Sequence, residues 1–170
     1  MHLRLATHDD VAALGAFGRH AFVTAFGHCY GPEDLGPFLE AVYGQAGLGA
    51  AIADPLTRIM LAEDDAGIAG FCKMRLAPGW PEHARGRNTV NLKQLYVDPQ
   101  RTGQAIGARL MDWALAQARD HGADEIQLSV WSENYGGHRF YARYGFEKIA
   151  DIDFWVTNHR DEEFLFALQL

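Results

Sequence analysis

The stretch that most constrains this chain runs from Tyr96 to Met111, YVDPQRTGQAIGARLM. It begins as the end of a strand and finishes as the first turns of a helix. Pro99, Gly103 and Gly107 lie between, and no acidic residue occurs from Pro99 to Met111. A plain turn needs at most one glycine. The first turn of a helix carries N–H groups with no intrahelical acceptor and a partial positive charge. Gly103, Ala105, Gly107 and Ala108 are all small, so a pyrophosphate would fit against those groups without help from Arg or Lys. The same residues also suit an ordinary strand–helix connection packed tightly through glycine, and the stretch alone leaves both readings open. It is neither a GxxxxGK[ST] phosphate loop nor a GxGxxG dinucleotide fingerprint.

The rest of the chain narrows the setting. Its 170 residues predict one domain, 1–170, with a sizeable core. Lys and Arg total 15 against 22 Asp and Glu, a formal charge of −7. A basic surface for nucleic acid or an anionic membrane is therefore not expected. The two cysteines, Cys29 and Cys72, are far apart, and the eight histidines show no HxH or HxxxH spacing, so no metal is expected. The start, MHLRLATHDD, has no apolar signal region, and no apolar run is long enough for a membrane span, which predicts a cytoplasmic protein.

Local patterns give an element order. LRLA reads as a first strand, and Thr7 followed by Asp10 as a helix start. Val11, Leu14, Phe17, Phe22 and Phe26 lie only roughly on one helical face. Pro32 opens a second helical region, with more short helix reaching Ala53. TRIMLAEDDAGIAGFCKMRL reads as a hairpin turning at Asp64–Gly67. TVNLKQLYV is a strand, IGARLMDWALAQARDHG a helix stopped at Gly122, and EIQLSVW a strand. A short helix is predicted over 135–144, ending at Gly145. FEKIADIDFWV and EEFLFALQL then pair across Thr157 to Asp161. Antiparallel neighbours with one strand–helix–strand crossover indicate an α+β, or mixed α/β, fold.

LYVDPQRTGQAIGARLM followed by NYGGHRFYARYGF resembles the GCN5-related N-acetyltransferases. That family's pattern is LYV-x-P, then [QR]-G-x-G-[IL]-G opening a helix, then N-x-x-A-x-x-F-Y-x-x-x-G-F. Asn134, Phe140, Tyr141, Gly145 and Phe146 fall in register. Thr102 stands where the family has Gln or Arg, Ala105 where it has Gly, and Gly137 where Ala is common. A second register, from Gln100 through Gly103 to Ala105, puts Gly107 two residues late. A looser likeness, over most of the chain, is to bacterial polyamine acetyltransferases of the PaiA type. It rests on AFVTAFGHCYGPEDLGPFLEAVY and DFWVTNHRDEEFLFALQL, with Thr157 and Glu163 in place of Gly and Asp. Asn91 and Lys93 occupy a strand where that group tends to carry acids, and a lysine there does not suit a polycation.

The resemblance implies a central, mostly antiparallel twisted sheet of about 6–7 strands flanked by about 4 helices. It implies acetyl-CoA as cosubstrate and transfer of acetyl to a primary amine of a small molecule by direct attack. Thr102, Gly103, Gln104, Ala105, Ile106, Gly107 and Ala108 would cradle the pyrophosphate. Leu95, Tyr96 and Val97 would bind the pantetheine like an added strand, and Asn134 would hold its amide. Tyr141 would protonate the departing thiolate, a leaving group made tolerable by a thiol pKa of about 8.5. Glu133, His138, His28 or a water chain are the alternatives for the base. A homodimer would accord with the family. Two other functions stay open: a protein N-terminal or lysine acetyltransferase, and a CoA-binding regulatory module without catalysis.

Overall fold

The structure is a computed structural model that describes residues 1–170. Seven strands form one sheet in the order β1-β2-β3-β4-β5-β7-β6. They are β1 (His2–Leu5), β2 (Thr57–Asp64), β3 (Gly67–Arg75), β4 (Thr89–Val97), β5 (Glu125–Trp131), β6 (Glu147–Val156) and β7 (His159–Gln169). Only the β4–β5 pair is parallel. Five α-helices accompany them: α1 (Val11–Phe26), α2 (Pro32–Tyr43), α3 (Gln45–Ala53), α4 (Ile106–Asp120) and α5 (Tyr135–Arg143).

Strand side chains alternate between the sheet's two faces. Met60, Ala62, Cys72, Met74, Leu128 and Val130 join Leu110, Met111 and Ala114 of α4 in one core, with Phe140 and Tyr141 of α5 packed against it. Ile59, Leu61 and Phe71 join Leu14 and Phe22 of α1, Tyr43 of α2 and Leu48 of α3 in the other. Helix α1 accepts its neighbours through small residues. A Cβ on Gly18 would lie 2.4 Å from the Tyr43 ring, so the groove explains why the large apolar residues of α1 align so loosely. Gly70 does the same for α4: a Cβ there would meet the Tyr96 carbonyl at 2.8 Å and Ile106 at 3.1 Å.

The β6–β7 hairpin turns at Thr157, which sits at φ 54°, a conformation unfavourable to a β-branched residue. Its hydroxyl donates to the Asp34 carbonyl at 2.7 Å and the Asn158 N–H to the Asp34 carboxylate at 3.0 Å, so α2 holds the turn.

The feature that makes a site is the parting of β4 and β5. Their pairing covers only Thr89–Asn91 against Glu125–Gln127. That end is tied down. Glu125, fully buried, accepts from the Arg85 N–H (3.0 Å) and the Thr89 hydroxyl (3.1 Å), and the Gln127 amide clamps both the N–H and the carbonyl of Trp80 at 3.0 Å. Beyond it, β4 carries one extra residue: the β3–β4 register steps from Met74↔Leu92 to Lys73↔Gln94, leaving Lys93 as a bulge. A bulge bends its strand and increases the twist. From Leu92 to Val97 the edge of β4 facing β5 therefore has no strand partner.

Candidate active site

The divergence opens a cleft of about 260 Å³ that reaches both faces of the sheet. Leu95, Tyr96 and Val97 line it from β4, Ser129 and Trp131 from β5, Asn134 and Tyr141 from the start and body of α5. Phe22, Phe26 and Tyr30, together with Phe38 of α2 and Phe154 of β6, close the opposite side, and Glu163 of β7 completes it.

Tyr141 packs edge-on against Phe140 (5.3 Å between ring centroids) and Phe146 (5.9 Å). Burial raises its phenol well above the usual range, with Cys72 and Tyr96 adding to the shift. It is a phenol that keeps its proton, available as a donor and not as a base. Asn134 caps α5: its Oδ1 accepts from the Gly137 N–H at 2.9 Å. Its amide N–H₂ makes no hydrogen bond, and the residue borders the cleft. The cap and the ligand-facing reading are thus compatible in one side chain.

Thr102, Gly103, Gln104, Ala105, Ile106, Gly107 and Ala108 form the turn into α4, outside the cleft lining. None of their N–H groups donates to a backbone acceptor. Gly103 stands at φ 81° and Ala105, the N-cap of α4, at φ 59° and ψ 15°. Two left-handed residues thus precede the helix, among N–H groups that have no backbone acceptor, a backbone arrangement suited to an anion. Arg101 is engaged by Asp64 (2.5 and 3.2 Å) and the Arg109 guanidinium lies against the Met1 carbonyl (3.3 Å). The donors here are backbone groups.

Glu133, His138 and His28 do not line the cleft. The His138 ring meets the Trp131 carbonyl at 3.0 Å and stacks on Phe164 (5.4 Å). His28 packs edge-on to Trp131 at 6.4 Å and lies 3.5 Å from the Cys29 sulfur.

Sequence reasoning missed Glu163 as a titratable group of this cleft, along with Tyr30 and the aromatic wall. Burial pushes the Glu163 carboxyl up to about 7, the Ser129 hydroxyl pulling it down and Asp161 adding to the rise. Its Oε2 is buried without a hydrogen-bond partner. Tyr30 donates its hydroxyl to Asp161. The one available signal was Glu163 itself, a departure from the Asp of the pattern it resembles.

The sequence matches the acetyltransferase (GNAT) family over residues 19–146. It is 29% identical over 163 residues to an uncharacterized N-acetyltransferase of Mycobacterium tuberculosis, covering 95% of this chain and 97% of that one. Identity is 30% over 103 residues to the aminoalkylphosphonate N-acetyltransferase of Salmonella typhimurium, 60% of this chain and 64% of that protein. The fold is similar, at a TM-score of 0.79 and 20% identity over 100% of both chains, to the PaiA N-acetyltransferase of Thermoplasma acidophilum crystallised with coenzyme A.

Proposed function

This chain belongs to the acetyltransferase (GNAT) family, and from that premise we propose that it transfers acetyl from acetyl-CoA to a primary amine of a small molecule, with Tyr141 as the general acid. The observation that carries this reading is the cleft between β4 and β5, where the unpartnered edge of Leu95–Val97, the Asn134 amide and the Tyr141 phenol border one space.

In this reading the N–H groups of Thr102–Ala108 hold the pyrophosphate. The pantetheine lies along Leu95–Val97 as a strand would, with the Asn134 amide donating to one of its carbonyls. A backbone N–H of β4 polarises the thioester carbonyl. The amine attacks that carbon directly, the carbonyl electrons move to oxygen, and their return breaks the C–S bond. Tyr141 gives its proton to the departing sulfur.

The test is thiol release from acetyl-CoA across amines, amino acids, aminoglycosides and peptides, with Tyr141→Phe alongside. Turnover on a small amine, lost in the variant, supports the reading. Turnover confined to peptides, or undiminished by the substitution, overturns it.

A further inference from the structure

We propose that Glu163 receives the acceptor: its carboxylate holds the incoming ammonium and takes its proton, and the aromatic wall beside it selects acceptors with a single amine on an apolar body. This rests on the acetyltransferase reading above and extends it to the other substrate.

The geometry begins with register. Glu163 pairs with Trp131 across β5–β7 and with Ile152 across β6–β7. It shares a sheet face with Asp161, two residues earlier, which bonds Tyr30 from the segment after α1. Tyr141 packs on the opposite face, against the α4 core. The cleft passes between these faces, so an amine arriving beside Glu163 and a thioester beside Tyr141 would meet in the gap.

Two neighbouring acids differ in their partners. Asp161 has the Tyr30 hydroxyl and His159 at 3.3 Å. Glu163 has no ion-pair partner, and its buried Oε2 has no donor. A buried carboxylate oxygen without a donor is costly, and an ammonium would satisfy it. The titratable groups around it are Asp161 on its own strand, Tyr30 after α1 and Tyr96 on β4, with Lys93 and Tyr141 elsewhere in the cleft. Tyr30 and Tyr96 both have phenols raised by burial, so neither is an anion that competes for the proton.

An alkylammonium leaves about one amine in a few thousand neutral at pH 7. A base that is half ionised near neutrality is matched to removing that proton. The proton balance closes. Glu163 takes one proton from R–NH₃⁺. The neutral amine forms the C–N bond and the C–S bond breaks, with Tyr141 protonating the sulfur. After C–S cleavage the nitrogen still carries two protons; one goes to the Tyr141 phenolate, the other stays as the amide N–H, and Glu163 releases its proton to solvent.

The walls define the acceptor. Phe26 meets Trp131 edge-on at 5.9 Å, Phe22 meets Phe38 at 4.8 Å, and Phe38 meets Phe154 at 6.0 Å. Such rings take an apolar body and stabilise a nearby cation. A polyamine needs a second free acid. Asp161 is engaged, and Lys93, the other charged residue of the lining, repels a second ammonium.

The experiment measures kcat/KM against pH for phenethylamine and spermidine, with wild type, Glu163→Gln and Glu163→Asp. Melting and acetyl-CoA binding are checked for each. Wild type is expected to prefer phenethylamine at least roughly 10-fold, with activity rising through an acid limb near pH 7. Glu163→Gln should lose roughly 100-fold or more and the limb with it, while still binding acetyl-CoA. Glu163→Asp should retain the limb at reduced rate. A trifluoroethyl-type amine, already neutral at neutral pH, should recover much of the loss in Glu163→Gln. If wild type acetylates phenethylamine and Glu163→Gln matches it with the same limb, Glu163 is not the base. A preference for spermidine overturns the acceptor class. No transfer to any amine by wild type overturns the underlying reading, and this proposal with it.

Discussion

Tyr141 and Glu163 line one cleft from opposite faces of the same sheet. Burial moves both groups toward their protonated forms, with different consequences. The phenol keeps its proton, which in the proposed reaction goes to the departing thiolate. For the carboxyl, burial brings the proton affinity near neutrality, where a base is most useful.

Tyr141→Phe removes one oxygen and leaves the ring packed against Phe140 and Phe146. We expect kcat and kcat/KM to fall together by roughly 10²–10⁴-fold. Acetyl-CoA affinity should change by less than about 3-fold and melting very little, since this hydroxyl makes no hydrogen bond within the protein. Steady-state thiol release and calorimetric titration with CoA check the two halves separately. An equal drop in CoA affinity would mark Tyr141 as a binding residue.

Glu163 also makes stability depend on pH. Its folded pKa, about 7, lies above the ordinary 4.5. Below pH 4.5 the carboxyl is neutral in both states and contributes nothing. Between 4.5 and 7 the folded chain keeps a proton that the unfolded chain has lost. Above 7 the folded state carries the full cost of a buried charge, on the order of 3 kcal/mol. The melting point of Glu163→Gln relative to wild type should therefore climb from pH 4.5 to pH 8 and level off beyond. A constant difference across that range would show that Glu163 is not desolvated.

The junction before α4 contains two left-handed residues of different kinds. Ala105 at φ 59° carries a side chain in a region that costs about 1–2 kcal/mol. Ala105→Gly removes that strain and returns roughly 0.5–1 kcal/mol to the unfolded chain's entropy. The net expectation is a rise of about 1–2 °C in Tm for a chain of this size. Gly103→Ala is the opposite case. A Cβ there meets no atom within 4 Å, so the cost at φ 81° is purely torsional. Tm should fall by about 2–4 °C. Thermal melts of both variants decide the matter, and CoA titrations show whether the N–H groups keep their aim.

Much of this architecture is legible along the chain because turns announce themselves locally. Gly67, Gly122 and Gly145 all have positive φ: Gly67 opens β3 after the hairpin turn, and Gly122 and Gly145 follow the ends of α4 and α5, where the residue order says they should. The strand–glycine–helix junction is legible for the same reason. Glu163 is not, because its role depends on a facing decision made elsewhere. In EEFLFALQL, Glu162 and Glu163 are equivalent until β7 pairs with β5 and Trp131 sets which one turns inward. Glu133, His138 and His28 attract notice as bases through nearness in sequence to Asn134 or to the helix-one aromatics, yet the cleft is completed from β7. The groove of α1 is hidden likewise. Gly15 and Gly18 look like weak helix residues until Tyr43 fills the space they leave.

Asn134 carries the last prediction, because its two ends have separable tasks. Oδ1 caps α5 through the Gly137 N–H at 2.9 Å, while the amide nitrogen makes no hydrogen bond within the protein and, in the proposed reading, donates to a ligand carbonyl. Asn134→Asp keeps an acceptor for the cap and deletes the donor. Melting should hold within a few degrees, since Asp caps as well as Asn, and CoA affinity should fall several-fold. Gly137→Ala acts on the same side chain from the helix. A Cβ there would lie 2.8 Å from the Asn134 amide nitrogen and 3.0 Å from its Cγ, so the amide must turn away. The lost cap, worth about 1 kcal/mol, is offset by the helix propensity of Ala over Gly, also about 1 kcal/mol. Stability should stay nearly level while CoA binding weakens as it does in Asn134→Asp. If both variants bind CoA as wild type does, the Asn134 amide does not contact the pantetheine, and its place in the cleft is that of a helix cap alone.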